Sequence, residues 1–385
     1  MKYDICVVSS SRSDFGLLLP LLRRINKSKT LNLKFLVTGS HLSNEYGHTI
    51  DEIEQSGIPI AARVHTNPND TSPTNIARNI AKTIDAFTGE FNQISPHALV
   101  VLGDRYEMLG VVIAAKCLNI PIIHIHGGEL TFGAIDDIIR HSITKFSNLH
   151  FVCTDRYRKR VIQMGEQPES VFNTGALGID NIVNTKLKNK YELQKELKLK
   201  FENKFIMVGF HSETVNRNTL ETCENMLSAL EKIDNTTIIF TRPNADLHSR
   251  MIWAQFKEFS SKKDNSYLFE NLGSVNYLSC LAHCDMLIGN SSSGILEAPF
   301  LGAYTINIGD RQEGRERAES IIDLPSSCEN LPEVIKCVFK KIAKEGRPEC
   351  DSIFGLGNSS LEMLNLIEKI IPNIQSKKYF FDIRD

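Results

Sequence analysis

Two short stretches carry most of the side chains that could move protons. The first is Gly103-Asp104-Arg105, which follows the apolar run 98–102. The second is His126-Gly127-Gly128-Glu129, which follows the apolar run 120–125 and is succeeded by Asp136, Asp137, Arg140 and His141. Carboxylates beside an imidazole suit general acid–base work, and guanidinium groups suit an anionic substrate. A packed core has no use for such groups at the ends of buried strands. Open α/β sheets, in contrast, bind ligands at the carboxyl ends of their strands.

A second constellation lies in the other half of the chain. Gly289-Asn290-Ser291-Ser292-Ser293-Gly294 follows an apolar run and opens a helix. One serine suffices to cap a helix, so three hydroxyls together with exposed backbone N–H groups point to an anion such as a phosphate. Glu297, one turn further on, would repel phosphate and fits a neutral diol such as a ribose. Arg311 and Arg315 lie on a loop in reach of the same region. His211 and Gly273 also follow strand-like runs, and near the start Ser9 to Gly16 form a small-residue loop with Arg12 in it. Arg12 reads equally well as a phosphate ligand or as a solvated loop residue. There is no Gly-x-Gly-x-x-Gly and no Walker lysine, so neither a dinucleotide nor a nucleoside triphosphate motif is present. The remaining reading is a nucleoside diphosphate in one half facing carboxylates in the other, which suits chemistry on a nucleotide sugar.

The elements that must position these groups alternate regularly. Strand-like runs at 3–9, 31–37, 98–102, 120–125, 149–153 and 171–173 are separated by helical stretches such as 15–26, 75–94 and 105–118, which predicts a parallel sheet. The lysine-rich segment 184–204 lacks a deep apolar face and reads as an exposed helix that links the two domains. The pattern then restarts with strands at 205–210, 237–241, 267–270, 286–288 and 304–308. The predicted class is α/β with two Rossmann-like, doubly wound parallel-sheet domains, 1–183 and 205–385. The ligand is expected in the cleft between them, and the helix at 360–371 is expected to pack back across the domains.

Bulk properties narrow the function further. A chain of 385 residues fits two domains, and a net charge of −2 argues against nonspecific nucleic-acid binding. No apolar run is long enough for a membrane span. The start of the chain does not read as an export signal, and nine cysteines, an odd number, point to a reducing cytoplasm. Their spacing, including Cys280 and Cys284, predicts buried thiols and no metal site.

The motifs SSRSDFG (10–16), VTGSH (37–41), LGDRYE (102–107), HIHGGE (124–129), IDDIIRHSITK (135–145), GNSSSGILE (289–297) and NIGDRQEGR (307–315) together resemble the UDP-N-acetylglucosamine 2-epimerase family, in its hydrolysing branch that feeds sialic acid synthesis. The resemblance covers nearly the whole chain and implies the glycosyltransferase-B architecture. It implies conversion of UDP-N-acetylglucosamine and water to N-acetylmannosamine and UDP through a 2-acetamidoglucal, without a cofactor, in a homodimer. By the same resemblance Asp104 and Asp136 are acid–base candidates, and Arg105 and Arg140 bind ligand. His211 assists the leaving diphosphate, which Arg12, Ser291 and Ser292 contact, and Glu297 holds the ribose. One departure stands out: His126 occupies a position where several family members carry a catalytic Glu. It leaves the acid–base role open between His126, Glu129 and Asp136. The neighbouring Leu130-Thr131-Phe132 leaves the sugar's C4 and C6 substituents open, with a 2,4-diacetamido-trideoxy sugar as the alternative substrate. A non-hydrolysing epimerase is the other alternative.

Overall fold

Short apolar runs bounded by glycine or small polar residues are too brief for helices and too apolar to face water, so they become buried parallel strands. A computed structural model of the protein describes residues 2–43, 49–66, 72–132, 135–212, 218–243, 248–351 and 353–383, and among these it shows thirteen such strands. The first seven are β1 (Tyr3–Ser9), β2 (Leu31–Val37), β3 (Ile60–Arg63), β4 (Ala98–Leu102), β5 (Ile122–Ile125), β6 (Leu149–Val152) and β7 (Val171–Asn173). The other six are β8 (Lys204–Gly209), β9 (Thr236–Thr241), β10 (Ser266–Phe269), β11 (Met286–Gly289), β12 (Tyr304–Ile308) and β13 (Ile321–Leu324). The helices that matter below are α1 (Arg12–Lys27), α2 (Tyr106–Cys117), α3 (Ile135–Phe146), α4 (Lys190–Leu197), α5 (Ser274–His283), α6 (Ser293–Phe300) and α7 (Ser359–Ile370).

Both sheets are parallel throughout and share one plan. The first has the order β3-β2-β1-β4-β5-β6-β7 and the second β10-β9-β8-β11-β12-β13. In each, the first strand in sequence lies inside the sheet and the order reverses beside it: between β1 and β4 in one, between β8 and β11 in the other. Such a reversal leaves a crevice at the strands' carboxyl ends.

The chain falls into two compact units. One comprises residues 1–129, 135–181 and 354–385; the other comprises 130–134 and 182–353. The first unit is therefore completed by α7, whose Met363 and Ile367 are fully buried in the same core as Leu18, Leu21 and Leu22 of α1. Arg24 Nε donates to Ser360 Oγ (2.8 Å) along that packing. Residues beyond α7 are tied down as well: Lys378 Nζ lies 2.7 Å from the buried carboxylate of Glu166, and the Phe381 amide donates to the Gly165 carbonyl (2.9 Å). Burial lowers the Lys378 ammonium to about 8, with Glu166 opposing that shift.

Three features depart from the sequence expectation. The segment 184–204 is folded into the second unit. Its helix α4 opens with a reciprocal capping box between Asn189 and Glu192, and one side chain, Leu193, is fully buried with Leu199 in a core that includes Phe205 and Leu281. The helix expected from residue 15 begins at Arg12, so Pro20 lies well inside it. Proline has no N–H for the Gly16 carbonyl, and Asn181 Nδ2 donates to that oxygen instead (2.7 Å). The edge strands β3 and β13 are only partly buried and lack a long apolar run.

Candidate active site

At the first switch point the loop after β1 is drawn tight. Ser10 Oγ donates to Asp14 Oδ2 (3.0 Å) and the Ser40 amide to the Ser10 carbonyl (2.9 Å). His41 is buried between Ser9 Oγ (2.9 Å) and Thr49 Oγ1 (2.8 Å), and burial, reinforced by the charge of Arg105, lowers it to about 4. Burial also raises the Asp14 carboxyl, and Arg105 opposes that shift.

The ends of β4 and β5 are locked together by an internal histidine. His124 Nε2 donates to the Gly103 carbonyl (2.9 Å); the ring is fully buried and lowered to about 3, so it stays neutral. Asp104 leaves β4 and accepts a hydrogen bond from Arg140 Nη2, although the two are far apart in sequence. Arg140 is only 2 % exposed. Its Nη1 also donates to the Glu129 carbonyl (3.0 Å) and lies 3.6 Å from Asp137 Oδ1. One buried guanidinium thus ties together the ends of both strands and the start of α3. Arg105 turns the other way, donating to Glu107 Oε1 (3.1 Å). Burial raises the Asp136 carboxyl; Arg105 opposes that rise and Glu107 adds to it.

The turn after β5 is held in an uncommon backbone shape. His126 has φ of 66°, a left-handed conformation that a non-glycine residue adopts at a cost, and its amide donates to the Phe151 carbonyl (2.8 Å). Gly128 has φ of 79°, and a Cβ there would lie 2.7 Å from the Tyr157 carbonyl oxygen, so only glycine fits. This shape brings His126 Nδ1 to 3.5 Å from Glu129 Oε1, and Cys153 Sγ, just past β6, donates to the same oxygen (3.4 Å).

The second switch point is built differently. Gly209 and Gly289 are paired at the ends of β8 and β11, and a Cβ on Gly289 would lie 2.2 Å from the Gly209 carbonyl oxygen. The turn that follows centres on fully buried Asn290. Its Oδ1 accepts from the His211 amide (2.7 Å), its Nδ2 donates to the His211 carbonyl (2.9 Å), and its own carbonyl accepts from Arg311 Nη1 (3.0 Å) and Gln312 Nε2 (2.9 Å). Burial, then the charge of Arg311, lowers His211 to about 3. Ser292 stands at the N-cap of α6 without a side-chain capping bond. Burial raises the Glu297 carboxyl, against a hydrogen bond from Ser293.

A profile of the family described as UDP-N-acetylglucosamine 2-epimerase matches residues 23–368. The chain belongs to that family. Among its relatives, the polysialic acid biosynthesis protein P7 of Escherichia coli is 43 % identical over 83 % of this chain and 82 % of its own. The GDP/UDP-N,N'-diacetylbacillosamine 2-epimerase (hydrolyzing) of Campylobacter jejuni is 40 % identical over 84 % of each. Among solved structures, the UDP-GlcNAc 2-epimerase of Neisseria meningitidis bound to UDP-GlcNAc superposes with a TM-score of 0.79 at 18 % identity, covering 95 % of this chain and 100 % of that one. The two parallel-sheet α/β domains are those of the glycosyltransferase-B-like fold of these epimerases.

Within this family member, Asp104, Glu129 and Arg140 come together directly, His126 joins them through Glu129, and Asp136 lies in the field of Arg105. His211, Ser291 and Arg311 gather around Asn290. Arg12 stands apart, half-exposed and 3.0 Å from Glu52. Gly273 caps α5 with φ of 70°. One expectation needs correcting. The amides of Asn290 and Ser291 both donate to the Gly209 carbonyl (3.1 Å each), so the turn's first N–H groups are already used. The Ser291 and Ser293 hydroxyls are engaged as well, with Tyr277 and, for Ser293, with Glu297. Sequence reasoning did not single out Asn290, Glu107, Asp14 or Cys153. The first three lie inside the quoted motifs, while Cys153 carries no local signal.

Proposed function

We propose that this protein is a hydrolysing 2-epimerase of a UDP-linked 2-acetamido sugar, converting UDP-N-acetylglucosamine and water to N-acetylmannosamine and UDP. The supporting observation is the cluster in which buried Arg140 joins Asp104 to the His126–Glu129 turn. Proton transfer at C2 requires a base and an acid on opposite faces of the sugar. Two ionisable groups in unlike environments suit that division. Asp104, ion-paired with Arg140, serves as a carboxylate base. Asp136, whose carboxyl is raised by burial, serves as a proton donor. His126 and Glu129 are the alternative pair. As the C2 proton leaves, the C1–O bond breaks and UDP departs, giving the 2-acetamidoglucal. Water then adds at C1 while C2 is reprotonated from the other face.

His211, Arg311, Ser291 and Ser292 bind the departing diphosphate, Glu297 binds the ribose hydroxyls, and Arg12, Arg105 and Gly273 complete the ligand contacts. Because His211 is lowered to about 3, it acts at neutral pH as a neutral hydrogen-bond donor, with Arg311 supplying the positive charge. The nine unbridged cysteines are in keeping with a cytoplasmic enzyme, and a homodimer is the expected assembly, to be read by light scattering. The relative named for polysialic acid biosynthesis favours a place at the start of nonulosonate synthesis.

The test is incubation with UDP-N-acetylglucosamine in D2O, followed by NMR. Free UDP and N-acetylmannosamine deuterated at C2 are expected; UDP-N-acetylmannosamine as the sole product refutes hydrolysis. The Campylobacter relative favours a second reading, in which the sugar is UDP-2,4-diacetamido-2,4,6-trideoxyglucose. A higher kcat/KM for that sugar than for UDP-N-acetylglucosamine selects it.

A further inference from the structure

The turn after β5 and the end of β6 offer three different metal-binding atoms to one point. His126 Nδ1, a Glu129 carboxylate oxygen and Cys153 Sγ all lie within 4.8 Å of one another. Two of the separations are already those of a coordination shell: N to O is 3.5 Å and S to O is 3.4 Å. A tetrahedral zinc ion with ordinary bond lengths needs about 3.4 Å between its nitrogen and oxygen ligands and about 3.6 Å between sulfur and oxygen. The donors are also fixed in place before any ion arrives. The His126 amide is bonded to the Phe151 carbonyl, two residues before Cys153, and Arg140 holds the Glu129 carbonyl. Gly128 allows the turn where no other residue fits. The charge balance suits a dication, since a thiolate and a carboxylate neutralise it, while the guanidinium of Arg140 is paired with Asp104 and that of Arg160 donates to the Gly128 carbonyl.

We infer that His126, Glu129 and Cys153 form a binding site for a thiophilic divalent cation of the zinc type, and that its occupancy stops turnover. Binding exchanges the Cys153 S–H bond for a metal–sulfur bond and releases that proton to water; no electron moves. Three protein ligands leave a fourth position for water. The ion would hold the imidazole and the carboxylate of the His126–Glu129 pair, so it acts as a brake that responds to free metal. The inhibition part rests on the proposed epimerase function, whereas the binding part stands without it.

Cobalt(II) added to the whole protein is the probe. One equivalent per chain is expected to give a thiolate-to-cobalt charge-transfer band in the near ultraviolet, abolished by zinc. Cys153→Ser and Cys153→Ala should lose that band, with metal affinity falling about 100-fold or more. Glu129→Gln should keep the band but bind more weakly. Absence of the band in folded wild-type protein, or its persistence in either Cys153 variant, overturns the site. Micromolar zinc should also suppress UDP release by the wild type and spare Cys153→Ser. Equal inhibition of both places the inhibitory ion elsewhere and overturns the brake. Because absorbance needs no turnover, a protein inactive on UDP-sugars can still pass the binding test, and an active epimerase can still fail it.

Discussion

The two sheets share one strand order over six strands, the first adding a seventh, and place their candidate groups at strand ends at or beside the reversal, yet the two crevices are furnished differently. In the first unit the ends of β4 and β5 carry carboxylates, an imidazole and a buried guanidinium that binds both strand ends at once. In the second, the ends of β8 and β11 are glycines, and the groups beyond them are hydroxyls, the His211 imidazole and an arginine gathered around the Asn290 amide. Titratable groups with unlike environments suit making and breaking bonds to hydrogen. Hydroxyls and one fixed cation suit holding a departing anion without giving or taking a proton. One topology thus supports both tasks, and the residues following each strand decide which.

The largest effect should come from the first crevice. Asp104→Asn is expected to cut turnover by about 100- to 10,000-fold while leaving UDP affinity within a few-fold, read by product NMR and calorimetry. A matching loss in UDP affinity would erase the division of labour. Next, Glu297→Ala in the second crevice should weaken UDP binding by about 10- to 100-fold, as expected for a lost hydrogen bond to a charged group. Unchanged affinity in calorimetry would remove Glu297 from the ribose.

Acid should distinguish the units more gently. His41 and His124 in the first unit are lowered to about 4 and about 3, and His211 in the second to about 3, against about 6.5 in an unfolded chain. Below pH 6.5 the unfolded chain takes up protons that the folded one refuses, so stability is full above 6.5 and declines as pH falls towards 4. Urea midpoints should therefore drop between pH 7.5 and pH 5, with probes in the first unit moving more; equal midpoints contradict the assignment. The smallest effect concerns Arg12. Its pair with Glu52 is half-exposed on both sides, so Glu52→Gln should alter stability by less than about 1 kcal/mol in thermal melts. Should Arg12 serve the diphosphate, the same change should leave UDP affinity equal or tighter.

The strands beside both reversals were legible because each is a bounded apolar run. The helix of α4 was legible but its burial was not, because a single fully buried leucine gives no periodic signal. In the site, residue types at strand ends marked Asp104 and Glu129, but their joining through Arg140 depends on the strand order, which no local pattern encodes. Cys153 was hidden for the same reason: β6 lies beside β5 only once the sheet forms. The tie between Ser291 and Gly209 was likewise unreadable, since it rests on two backbones approaching where side chains are missing.

The first unit closes around side chains supplied after the second has been spelled out in full. During synthesis the ribosome delivers residues 182–353 before α7, so the second unit can finish its core while Leu18, Leu21 and Leu22 still await Met363 and Ile367. A stop codon just before Ser359 would yield a chain holding every candidate site residue but lacking the cover of its first core. Its nascent form would need shielding from other apolar surfaces for longer than two independently folding halves would.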